Sequence, residues 1–349
     1  MRRRAVSISL SALGLGLGLL HRGVGSQPMP ATPPDGSRPS GVAYSAFDQV
    51  GRKIEADYTD VESVVVVRKG RVLFEHYNSS PDTLRDVQSV TKSVLSLAVG
   101  AAVGRGAIPS LDQPLGELLG VAPKAEMASP APPVTVRHLL TMTAGFRTQE
   151  RFAPSTADDP AFLLQRERAE VPGSVFAYDN LSANLLSIAL EAATGQSASS
   201  FAEQTIFRPL GVTAFDWAKG ARGHSLGFSG LRLRTRDMAR LGELALNAGA
   251  WSGSQVIPEA YARSAVSAQN SGGRPVGLSY GYLWWVAPSA TERRTFLASG
   301  WGGQFIWVHP PLDLVISTTS AVSAEANRRG QALALIRTEL FRAAAATQV

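Results

Sequence analysis

Cysteine is absent from the 349-residue chain. That excludes a disulfide scaffold, a thiolate zinc site, an iron–sulfur cluster, a cysteine nucleophile and a lipidated cysteine anchor. Histidine is sparse: His21, His76, His138, His224 and His309 stand far apart, without the close spacing of a histidine metal site, so no metal or other cofactor is expected. Lysine is sparse too, and no basic run interleaves with aromatics, so nucleic acid is not an expected partner. Asp112, Glu117 and Glu203 are not paired in a way that suggests glycosidase chemistry. No apolar run reaches the ~20 residues of a bilayer span.

What remains is a globular composition, 44% apolar and 18% charged, with enough chain for one large domain or two ordinary ones. The N-terminus stands apart. Met1–Arg4 is cationic, Ala5–Leu20 is mostly apolar, and the small residues Gly23, Gly25 and Ser26 follow. This order reads as a secretory signal peptide over 1–26, followed by a Pro-rich linker over 27–42. Without Arg2, Arg3, Arg4 and Arg22, 30 of the 34 basic residues face 28 acidic ones, and the net charge of +6 falls to +2. The mature protein is expected to be periplasmic or secreted, with no membrane span.

The rest, 43–349, reads as one domain. Val42–Tyr58 has helical spacing, with Ala43, Phe47, Val50 and Ile54 on one face. Ser63–Arg68 and Arg71–Tyr77 read as a hairpin around Lys69–Gly70. Ser89–Val103 is an apolar helix, and Thr235–Ala248 is amphipathic. Strands return at Gly281–Val286, Thr295–Ala298, Phe305–His309 and Leu314–Thr319, before a closing helix at Asn327–Ala346. The expected class is α+β: an antiparallel sheet built from the N- and C-terminal segments (43–88 and 275–349), flanked by helices, with a large mainly helical insert (89–274).

Three segments carry candidate chemistry. Ser89-Val90-Thr91-Lys92 opens the apolar helix and puts serine and lysine on one face. A helix N-terminus favours negative charge beside the serine, and the lysine is placed to take its proton. Alone the pattern is weak, since roughly half an S-x-x-K match is expected by chance in this composition. Tyr178-Asp179-Asn180 precedes the helix Leu181–Ala193; the phenol could relay a proton, and the Asn180 amide could hold a substrate carbonyl. Ala298-Ser299-Gly300-Trp301-Gly302-Gly303-Gln304 ends a strand, where a backbone N–H could pair with that of Ser89 as an oxyanion hole.

In this order the motifs resemble those of the serine hydrolases of the class C β-lactamase and penicillin-binding protein superfamily. The likeness extends to Val134–Gly145 and to Gly230-Leu231, Thr235 and Asp237, and spans about 43–340. It implies a β-lactamase/DD-peptidase-like fold, with Ser89, Lys92 and Tyr178 catalytic and Asn180, Ser299, Gly300, Trp301 and Gly302 binding substrate. One departure bears on the substrate. Where class C enzymes and peptidases carry the lysine or histidine of a K-T-G-type triad, this chain has Ala298, unless Arg293 or Arg294 supplies the cation. Esters or uncharged amides therefore fit better than β-lactams, and the resemblance leans towards family VIII-type esterases and nylon-oligomer hydrolases. The expected partner is a small-molecule ester, amide or β-lactam-like substrate. Two other readings stand beside this one. One is a penicillin-binding or sensor-like module that acylates without efficient turnover. The other is an α/β-hydrolase using the G-x-S-x-G at Gly223–Gly227, with Ser225, Asp237 and His309.

Overall fold

The computed structural model describes residues 45–120, 132–149, 151–288, 294–322 and 330–348. The expected signal peptide and linker, Ala43, Arg293 and the start of the expected closing helix lie outside them.

Valine-rich β1 (Val61–Arg68) turns through Lys69 and Gly70, both at positive φ, into β2 (Arg71–Tyr77). That is the backbone a two-residue hairpin turn requires. On its other edge β1 pairs antiparallel with the last strand, β13 (Leu314–Ser320), placing Val65 opposite Ser317. The two ends of the chain therefore close one sheet. Its remaining strands are β12 (Gln304–His309), β11 (Phe296–Gly300), β10 (Trp285–Val286), β9 (Leu278–Tyr280) and β8 (Asn270–Gly273). The order is β2-β1-β13-β12-β11-β10-β9-β8, antiparallel throughout, as the α+β expectation requires.

Three local readings are corrected. β8 and β9 form where no strand was read, β8 within the expected helical insert, because Asn-Ser-Gly-Gly carries no apolar alternation to announce a strand. Gly281–Val286 is not one strand: Leu283 has φ 59°, so the chain turns before β10. β11 runs two residues past Ala298, making Ser299 and Gly300 ladder residues opposite Phe305 and Gln304.

Helices cover the sheet on both sides. The first, Ser45–Asp57, buries Phe47, Val50 and Ile54. The C-terminal segments Gln331–Leu335, Ile336–Leu340 and Phe341–Ala346 follow one another, and Ala332 lies beside Ser320 of β13 near Gly303. Helix Thr235–Leu246 lies on the sheet at Gly242, where a Cβ would meet Val315 and Ile306 at 2.6 and 2.7 Å. Helix Val90–Gly104 is buried from Val90 to Ala102. It is wedged between β11–β12 and the helices Asn180–Thr194 and Ala198–Ala202, so its N-terminus emerges where sheet meets helical layer. A small sheet of β3 (Arg85–Asp86), β5 (Leu231–Leu233) and β4 (Asp216–Trp217) fixes the chain just ahead of that N-terminus; a separate hairpin pairs β6 (Ala250–Trp251) with β7 (Ser254–Gln255).

Glu243, on helix Thr235–Leu246, gives a pH prediction. Burial pushes its carboxyl up to about 7, a rise that Arg240 only partly offsets. The ordinary carboxyl of the unfolded chain ionises first as pH rises, so the folded state holds the extra proton. Stability attributable to this group is complete at acidic pH and is lost as pH rises towards 7, by on the order of 3 kcal/mol. Glu243→Gln should therefore gain stability over wild type between about pH 4.5 and 8 in urea unfolding, whereas a pH-independent difference would contradict the assignment.

Candidate active site

Ser89 stands at the N-terminus of helix Val90–Gly104 and makes no capping hydrogen bond with its own side chain. Gln88 ahead of it has φ 51°, a left-handed turn held by Asp86 Oδ1, which accepts the Gln88 N–H at 2.8 Å. Thr91 Oγ1 donates to the Gln88 carbonyl at 2.7 Å, and the Val87 N–H donates to Leu231 of the small sheet at 3.0 Å. The half-buried Ser89 hydroxyl is thus left to the cleft, on a backbone fixed from both sides.

One turn on, Lys92 is 1% exposed. Its Nζ donates to Ser89 Oγ at 2.9 Å and to the Phe228 carbonyl at 3.0 Å. The same nitrogen lies 4.8 Å from the centroid of the Tyr178 ring and 5.7 Å from that of Phe228. Among the described residues it has no carboxylate within ion-pair distance. A buried amine with no charged partner loses its hydration on folding, so its position calls for a chemical reason.

Tyr178 arrives from far along the chain, on the approach to helix Asn180–Thr194. Its ring stacks on Trp285 of β10 at 5.8 Å and meets Tyr280 edge-on at 6.4 Å. Burial, with Tyr178 adding to it, pushes the Tyr280 phenol well above its ordinary value, so Tyr280 serves as a neutral wall. Asn180 is the first residue of the helix; its Oδ1 is buried and has no hydrogen-bond partner among the described residues.

The Gly-rich segment closes the other side. A Cβ on Gly300 would run into the Val87 carbonyl oxygen and come within 3.1 Å of Gln88 Cβ, so β11 ends against the residues that precede Ser89. Ser299 is half-buried one residue earlier. Trp301, 51% exposed, and Gly302 (φ 82°) form the turn into β12, with Gly302 packed against Val322. Ala298 is buried in β11 opposite Ile306, and Arg294 precedes the strand at the end away from Gly300. Ser89, Lys92 and Tyr178 thus come together with Gly300 beside them.

The rival serine is not assembled. Ser225 is buried, and its Oγ accepts the Ser199 N–H at 3.2 Å. Asp237 is held by Arg234 and Arg240 at 2.7 and 2.8 Å, and His309 Nδ1 meets Thr295 Oγ1 at 2.7 Å. With an antiparallel sheet there is no strand–elbow–helix to present that serine.

The sequence reading missed two contributors. Phe228 supplies a carbonyl and a ring to Lys92 because Gly227 docks on the neighbouring helix, donating its N–H to Asn184 Oδ1 at 2.7 Å. The other is Arg166, which binds Asp179 inside the Tyr178–Asn180 motif. Neither belongs to a recognisable pattern; the glycine inside an apolar loop was the one local signal.

The arrangement agrees with comparison to known proteins. The Beta-lactamase family model matches residues 53–338. The 6-aminohexanoate-dimer hydrolase of Paenarthrobacter ureafaciens is 24% identical, covering 84% of this chain and 80% of its own. Among solved structures, EstCE1, a hydrolase with promiscuous acyltransferase activity, is 18% identical with a TM-score of 0.66, covering 84% of this chain and 97% of that one. A penicillin-binding protein homologue from Caulobacter crescentus is 19% identical with a TM-score of 0.68, covering 87% and 99%. With its fold, its Ser89–Lys92 contact and a family match over most of its length, the chain belongs to the Beta-lactamase family and is a serine hydrolase.

Proposed function

We propose that the protein is an exported hydrolase that works through an acyl-enzyme on Ser89 and cleaves short esters or uncharged amides, with weak or no β-lactamase activity. The observation that carries this is the 2.9 Å contact from buried Lys92 to Ser89, with the Tyr178 ring over the same amine. In the proposed cycle Ser89 Oγ bonds to the carbonyl carbon, and its proton passes to Lys92 with Tyr178 as relay. The developing oxyanion meets the helix N-terminus and backbone N–H groups beside Gly300. The same proton then goes to the departing alcohol or amine. Water adds to the acyl carbon and gives its proton to the pair, which passes it to Ser89 Oγ as the bond from that oxygen to the acyl carbon breaks.

Substrate preference follows from Ala298, an apolar side chain where a cation would hold a carboxylate. The aromatic wall of Tyr178, Trp285 and Phe228 favours an apolar acyl group. The relative named for 6-aminohexanoate dimer supports linear amides as candidates. Export rests on the cationic-then-apolar order of residues 1–26.

The test is a hydrolysis panel of p-nitrophenyl butyrate, nitrocefin, a D-Ala-D-Ala peptide and linear 6-aminohexanoate dimer, with wild type and Ser89→Ala. Ester or amide turnover that exceeds nitrocefin turnover and vanishes in Ser89→Ala is expected. Turnover surviving the substitution would overturn the assignment, and a stoichiometric burst without turnover would favour the acylated binder.

A further inference from the structure

The proposed cycle uses Tyr178 and Asn180 but leaves the residue between them unexplained. Asp179 caps helix Asn180–Thr194, with Oδ1 accepting from the Leu181 N–H at 3.2 Å and Oδ2 from the Ser182 N–H at 3.0 Å. A serine, threonine or asparagine would cap equally well without placing a charge there. Here the cap is a buried carboxylate, and Arg166 crosses from the preceding loop to meet it. Arg166 Nη2 donates to Asp179 Oδ2 at 2.7 Å, and the two side chains are 2% and 4% exposed. Arg166 is fixed in turn: Nη2 reaches Ser182 Oγ at 3.3 Å, Nε reaches the Leu163 carbonyl at 3.3 Å, and the guanidinium lies 4.4 Å over the Phe146 ring.

Burying such a pair is a poor route to stability, because desolvation consumes most of the attraction. The cost here is visible: Arg166 Nη1 is buried without a hydrogen-bond partner among the described residues. What the guanidinium adds is a fixed, charge-assisted bond from one nitrogen to Oδ2, while Oδ1 stays on the Leu181 N–H. With both oxygens engaged, Asp179 has one rotamer. Its peptide is held as well, by Met142 Sδ accepting the Asp179 N–H at 3.5 Å and by the Met142 carbonyl accepting the Ala177 N–H at 2.8 Å. The residues on either side, Tyr178 and Asn180, inherit that fixed backbone. The Tyr178 ring itself is set over Lys92 by aromatic contacts with Trp285 and Tyr280, which tolerate sliding.

We infer that Arg166 is a positioning residue: through its ion pair with Asp179 it fixes the Tyr178 ring against Lys92 and Asn180 at the cleft. This deepens the proposed role of Ser89 and rests on it. The experiment compares Arg166→Met, Arg166→Lys and the double variant Arg166→Met/Asp179→Ser, which removes both charges and keeps a capping oxygen. For p-nitrophenyl butyrate, Arg166→Met should lose about ten- to hundred-fold in kcat per folded molecule with KM little changed, as for a slightly misplaced catalytic group. Arg166→Lys should recover part of that loss. The double variant should melt as high as wild type yet keep the lowered kcat. Wild-type kcat in the double variant would overturn the inference and leave the pair a merely structural one. A second readout needs no turnover: with 13Cζ-labelled tyrosine, the NMR signal assigned to Tyr178 by Tyr178→Phe should shift in Arg166→Met and in the double variant. An unmoved signal would overturn the inference even in a protein that hydrolysed none of the esters, a result that would by itself defeat only the Ser89 reading.

Discussion

Lys92→Met is expected to lower kcat/KM for p-nitrophenyl butyrate by on the order of 10³-fold while the melting temperature holds or rises. The activity loss follows from one atom. Lys92 Nζ is the group within hydrogen-bond reach of Ser89 Oγ that can take its proton, and methionine keeps the length and apolar stem without the amine. Stability follows the opposite rule. Methionine leaves the Phe228 carbonyl without its donor, a cost of about 1–3 kcal/mol. It also removes a buried polar amine that has no carboxylate partner among the described residues, and the hydration which that amine loses on folding offsets the lost hydrogen bond. Steady-state kinetics and thermal unfolding on one preparation separate the two effects. An active Lys92→Met variant, or one that is inactive only because it unfolds, would contradict the assignment.

The second large effect is expected at Gly300. An added methyl group has no room, since it would overlap the Val87 carbonyl oxygen and approach Gln304 Cβ to 2.9 Å. Neither neighbour is a flexible side-chain end: Val87 is tied to Leu231, and Gln304 is held by hydrogen bonds to Ser320 at 2.7 and 3.1 Å. Gly300→Ala must therefore push the end of β11 away from the backbone that carries Ser89. Separating the two sides of the oxyanion site should lower kcat/KM by about 10²–10³-fold, the scale of losing one oxyanion donor. Overpacking costs about 1–3 kcal/mol of stability in addition. Gly51→Ala is the matched control: at a half-buried helix position with open space around it, it should stabilise by roughly 0.5–1 kcal/mol and leave activity unchanged. A Gly300→Ala variant as active as Gly51→Ala would show that the two sides of the cleft need not touch.

Much of this was legible because the local signals were strong and mutually consistent. The Lys69–Gly70 turn, the apolar run after Ser89, and Met238, Leu241 and Leu244 on one face of their helix each state a structure that tertiary packing does not overrule. Ser89 and Lys92 lie a helical turn apart, so their contact is local and could be read from spacing. Tyr178 is different. The motif pointed to it, but its approach to Lys92 depends on the helix Asn180–Thr194 packing on the central one, which only the assembled fold provides. β8 and β9 were illegible for the opposite reason: Asn270–Gly273 is a strand only because Leu278–Tyr280 pairs with it. Arg166 and Phe228 act through a guanidinium and a carbonyl reaching over long sequence separations, and no residue pattern encodes such contacts.

The most direct test of the central claim is to trap the acyl-enzyme. The protein is incubated with a fluorophosphonate or a slowly released p-nitrophenyl ester, digested, and the adduct located by peptide mass spectrometry. The account predicts one adduct per chain, on Ser89, formed at least about 10²-fold more slowly in Lys92→Met. An adduct on Ser225 or any other residue, or undiminished labelling after Ser89→Ala, would contradict it.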